Sequence, residues 1–85
     1  MIKLHEMFRD DVRNVFANLR ADLMVLESSL AYHKAYIVCE NLTADAHDAW
    51  IKDLLDYDDW AILQHITDYL LRKRLQAERE TYNAR

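Results

Sequence analysis

Four histidines and fifteen carboxylates in 85 residues are the side chains with which this chain could do chemistry, and a metal site is the first chemistry such a set suggests. Ligands that share a helix face recur three or four residues apart. His47 and Asp48 are adjacent and point in different directions, His65 and Asp68 make only a single i, i+3 pair, and no Glu-x-x-His, His-Glu-x-x-His or paired-cysteine spacing occurs. A site drawn from His5, His33, His47 and His65 on separate elements would lack a local pair to start from. Neither a metal nor a cofactor is therefore expected; His65 reads as a surface residue and His47 as a partly buried one.

Nucleophilic chemistry finds no better footing. The only serines, Ser28 and Ser29, sit inside a helical pattern without a glycine-containing elbow. Cys39 has no neighbouring histidine or basic cluster to activate it and reads as a small buried hydrophobe. With no glycine there is no phosphate-binding loop. No catalytic residue is assigned, and the chain is expected not to be an enzyme.

Charge is the remaining signal. The net −4 is unevenly spread: residues 1–40 carry five bases and six acids, residues 41–70 one base and seven acids, residues 71–85 five bases and two acids. Asp45, Asp48, Asp53, Asp56, Asp58 and Asp59 crowd around a lone Lys52. A solvated helix face would account for them, with Asp45 also favoured by the helix dipole, but such a face usually mixes signs and seldom uses Asp throughout. Dense, short carboxylates suit a docking surface for a basic partner, or an imitation of nucleic-acid phosphates. Tyr57, at a break in the pattern, is the aromatic expected in solvent beside them, while Trp50 and Trp60 read chiefly as core. The expected partner-binding residues are thus Asp45, Asp48, Asp53, Asp56, Tyr57, Asp58 and Asp59.

The basic run Arg72, Lys73, Arg74, with Arg79 and Arg85, could touch phosphates. Three consecutive helical residues fan over about 200°, however, Glu78 and Glu80 dilute them, and a helix dipole accounts for bases near a C-terminus. A helix-turn-helix is disfavoured because its second helix would begin with Asp58 and Asp59.

The elements that must position these residues are helices. Gly and Pro, which make tight turns and hairpins, are both missing, and strong helix formers abound. The expected fold is all-α, a single domain over residues 1–85 with three helices. Leu4, Phe8, Val12, Val15, Leu19, Leu23, Leu26, Leu30 and Ile37 follow a 4-4-3 spacing with a break only at Lys34, which predicts one long helix over about 3–40. Asn41 and Thr43 then supply stop and start signals for a short helix 2 over about 44–56, and a phase jump at Asp56–Asp59 opens helix 3 over about 59–81. A first helix of roughly 55 Å outruns the other two. Its N-terminal stripe, Leu4, Phe8, Val12, Val15 and Leu19, is left over and predicts a homodimer interface.

The single Cys39 excludes an intrachain disulfide, and Met1 to Phe8 shows no leader pattern, so a cytoplasmic protein off the membrane is expected. Small acidic proteins without catalytic motifs are a type that phages and mobile elements direct at nucleic-acid-handling machines. By that analogy the chain is expected to be an inhibitor or adaptor that docks on a basic patch of a larger protein. The alternatives are a nucleic-acid-binding regulator using the basic end of helix 3 and a structural or assembly component.

Overall fold

The computed structural model describes residues 6–83, with side chains over residues 8–80. Among them run three helices and no strand: α1 (Glu6–Leu23), α2 (Ser28–Ile51) and α3 (Tyr57–Asn83). The all-α, three-helix reading holds, and α3 falls within two residues of its predicted span at each end. The first break lies elsewhere: the predicted helix over 3–40 turns back at Met24–Glu27, and helix 2 is long, beginning at Ser28 and not near residue 44.

The reason is tertiary. A straight helix would leave the α1 stripe in water, whereas folding α1 back on α2 buries Phe8, Val15 and Leu19, each worth roughly 1.5–3 kcal/mol when fully enclosed. At the turn the amides of Met24 and Val25 tighten to i→i−3 bonds on the Ala21 and Asp22 carbonyls, and Leu26 N–H closes on Asp22 O at 2.8 Å. Met24 and Val25 are left 86% and 78% exposed. Lys34, the one break in the apolar register, reaches across to Asp22 at 3.4 Å and ties α2 to α1.

Folding back also answers the expectation of a dimer through Leu4, Phe8, Val12, Val15 and Leu19. Phe8, Val15 and Leu19 are core residues of their own chain, and Val12 is half-buried against the same core. Leu4 lies outside the described residues. The stripe is covered from within, so the premise of that interface is gone; the apolar residues left open lie elsewhere, among them Leu30, Ile37 and Val38 on α2, Met24 and Val25 at the first turn, and Ile51 and Leu54 at the end of α2.

α2 is the central helix, and it buries its small side chains: Ala31, Ala35, Cys39, Thr43 and Ala46. That line lets large residues of both neighbours approach closely. Val15, Leu19 and Leu70 close over Ala31, Ala35 and Cys39, while Phe8, Leu55 and Leu63 close over Ala46. Burial pushes the Cys39 thiol up to about 11, consistent with a packing residue and not a nucleophile. Asn41 and Thr43 end nothing. Thr43 satisfies its hydroxyl within the helix, 2.8 Å from Cys39 O, and meets the Thr67 hydroxyl of α3 at 2.8 Å, while Thr67 lies 2.9 Å from Leu63 O.

Candidate functional site

α2 and α3 pack antiparallel, and the connection Lys52–Asp56 joins them at one corner. The end of α2 is built by backbone geometry. Asp53 takes a left-handed φ of 65°, its N–H bonds Trp50 O at 3.0 Å, and Leu54 N–H bonds Ala49 O at 2.9 Å, which together form a Schellman closure usually made with glycine. Asp53 and Asp56 therefore stand in the connection, not on a helix face as the predicted helix over 44–56 would place them. Asp58 and Asp59 occupy the first turn of α3, where negative charge suits the helix dipole.

This closure swings Trp50 over Trp60. The two indoles lie nearly parallel, 13° apart with centroids at 5.5 Å, an offset stack. Tyr57 meets both, at 5.3 Å each, and His47 meets both, at 5.7 and 5.6 Å. Trp50, Trp60 and His47 are half-buried; Trp60 packs against the Phe8, Ala46, Leu55 and Leu63 core as its helical phase predicts, whereas Trp50 is in no core cluster, and Tyr57 is 53% exposed, as expected. Beside the stack Ile51 and Leu54 are 66% and 70% exposed. Sequence periodicity sends both inward with Leu55, yet only Leu55 is buried, because α2 ends at Ile51.

In the same stretch of chain, Asp45, Asp48, Asp53, Asp56 and Asp58 are exposed. Asp59 is the exception among the expected contact residues. It is 7% exposed, which removes it from any free surface and makes it part of the start of α3.

Comparison with protein-family models, with curated proteins and with solved structures found no match. The reading of the site rests on its own geometry.

The histidines take separate roles. His33 lies 2.9 Å from Arg74 Nη1 through Nδ1; since a guanidinium only donates, Nδ1 accepts. His47 belongs to the ring stack, His65 is exposed, and His5 is outside the described residues. Among the described residues no three His, Cys, Asp or Glu side chains gather to hold a metal ion. Nor is any helix there long and apolar enough to cross a membrane.

Two members of the basic run on α3 are engaged, Lys73 and Arg74, whereas Arg72 and Arg79 are exposed and Arg85 lies outside the described residues. Lys73 lies 6.0 Å over the Tyr32 ring, and Arg74 lies 5.5 Å over Tyr36 and 3.7 Å from Glu78. These residues are more than two turns from the end of α3 at Asn83, too far for the helix dipole to be their reason; they clamp α2 to α3. Tyr36 is itself pushed above the usual phenol range, first by its hydrogen bond with Glu40 and then by burial.

Proposed function

We propose that this chain is a protein-binding module, an adaptor or inhibitor, that docks the α2–α3 corner on the basic surface of a larger, nucleic-acid-handling protein. One observation carries the reading: Ile51, Leu54, Trp50 and Tyr57 are left fully or partly open on a stretch, residues 45–58, whose five carboxylates Asp45, Asp48, Asp53, Asp56 and Asp58 are all exposed, with Lys52 the single base among them. Binding hot spots have this anatomy, ring and aliphatic anchors surrounded by charge that selects the partner. Carboxylates beside stacked rings also offer what phosphates beside stacked bases offer, so a surface made for single-stranded nucleic acid, basic with stacking aromatics, has the complementary chemistry.

The competing reading, direct nucleic-acid binding through the basic end of α3, is weakened because Lys73 and Arg74 are committed to Tyr32, Tyr36 and His33, which leaves Arg72 and Arg79 exposed with Glu78 and Glu80 beside Arg79. Binding to a polyarginine surface and to duplex DNA, measured side by side, tests both. The chain is expected to hold polyarginine and ignore DNA. Charge reversal at Asp45, Asp56 and Asp58 should weaken binding at least about tenfold; because Asp56 precedes α3 and Asp58 lies in its first turn, it should also cost about 1–2 kcal/mol, and circular dichroism checks that the triple variant is folded. The same reversal at the exposed Asp10, Asp11 and Glu27 should weaken binding far less. Equal losses in the two triple variants would show bulk charge alone, and the proposal would fail.

A further inference from the structure

Rings and cations pair in order along the α2–α3 seam. Toward the C-terminal end of α3, Tyr32 is covered by Lys73 and Tyr36 by Arg74, so each ring of α2 receives a cation from α3. From Tyr36 onward, the same two helices bound a groove of about 400 Å³ with Glu40, His47 and Asp48 on α2 and Trp60, Gln64 and Asp68 on α3; the Tyr36 ring, already covered by Arg74, lines it as well. Beyond Tyr36 the rings and carboxylates recur without a cation from α3, because no Lys or Arg occurs from Asp53 to Leu71. At the floor lie the Thr43 and Thr67 hydroxyls, which keep acceptor lone pairs beyond their mutual contact.

We infer that this groove takes an arginine side chain of the partner, completing from outside the ring–cation series that α3 completes from inside at Tyr32 and Tyr36. The inference rests on the docking reading above and names the chemistry it recognises. A guanidinium fits better than an ammonium: it stacks flat on a ring, as Arg74 does on Tyr36, while its planar fork serves carboxylates on both sides, here Asp48 and Asp68. The volume is in the lower part of the range of small-ligand pockets, roughly 300–1,000 Å³, and admits one long side chain with its water.

The test is a titration of tryptophan fluorescence with a capped hexa-arginine peptide, with the citrulline peptide of the same length as the uncharged control. Trp60 lines the groove and reports occupancy. Two variants carry equal charge changes: Asp48→Asn with Asp68→Asn in the groove, and Asp53→Asn with Asp58→Asn at the corner. All four residues are exposed, and Asn at 68 can still accept from Gln64, so circular dichroism should show both variants folded. The expected result is binding of the arginine peptide alone, weakened at least about tenfold in the groove variant and less than about threefold in the corner variant. The reverse order would overturn the groove and leave the docking reading standing. Equal losses, or citrulline binding as tightly as arginine, would overturn the groove as a guanidinium site. No binding of either peptide by the parent chain would overturn both readings.

Discussion

Replacing Asp53 by glycine should stabilise this domain, although it removes a side chain from the acidic corner. Asp53 holds φ at 65° to complete the closure of α2. For an L-residue the left-handed region costs roughly 1–2 kcal/mol, with Asp at the low end because its short side chain bonds locally. Glycine escapes that cost but adds back roughly 0.4–1 kcal/mol through the greater freedom of its unfolded chain. The expected net gain is about 0.5 kcal/mol, or roughly 2–4 °C in melting temperature for a domain of this size. Asp53→Ala keeps the Cβ and loses the local hydrogen bonding, so it should lose about 0.5–1 kcal/mol. Reversible urea denaturation followed by circular dichroism measures both, with unchanged slopes required. If glycine destabilised the domain, or if alanine and glycine behaved alike, the backbone role of Asp53 would be refuted and its carboxylate would have to be the stabilising group.

Other perturbations bear on other parts of the fold. Glu27 sits at the N-cap of α2 without a side-chain cap bond, so Glu27→Asp should raise stability by about 0.5–1 kcal/mol in the same denaturation assay. Leu63 is fully buried against Phe8, Ala46 and Leu55, and Leu63→Ala should cost about 2–5 kcal/mol. Phe8→Glu should unfold the domain, since it buries a carboxylate in that cluster; a folded variant with an altered sedimentation mass would instead support an interface on α1. The Cys39 thiol is raised from 9.0 to about 11, so its neutral form is favoured by folding. Its contribution to stability is whole at neutral pH and is lost as pH rises from about 9 through about 11, and in the native state thiol reagents at pH 8 should react only as fast as the domain opens.

The helix count and the start of α3 are legible in the sequence because they depend on local chemistry: no turn-forming Gly or Pro, and a phase jump at Asp56–Asp59. The first break is not legible that way. Met24, Val25, Leu26 and Glu27 include no turn residue, and the large apolar residues keep their spacing straight through it. The missed signal is the small-residue line Ala31, Ala35, Cys39 and Ala46, which marks α2 as a helix enclosed from both sides, against which α1 must fold back. Thr43 misleads for a related reason, since a hydroxyl that can cap a helix can also bond the carbonyl four residues back. At the corner, carboxylate density and the exposure of Tyr57 are readable, but the ring stack is not. Helical phase puts Trp50 and Trp60 each on the apolar face of its own helix, and the Asp53 closure is what stacks them on one another. The burial of Asp59 depends on that same junction and has no counterpart in composition.

The measurement closest to the central claim is a nitrogen–proton correlation NMR titration of the full chain with the hexa-arginine peptide at low salt. The two indole N–H signals, Trp50 and Trp60, separate from the amides and report on the corner directly. Docking at the corner should shift both indoles and the amides of residues 45–60, and the shifts should fade as salt is raised. Indoles that stay fixed while shifts appear on α1 or on the C-terminal half of α3 would contradict it.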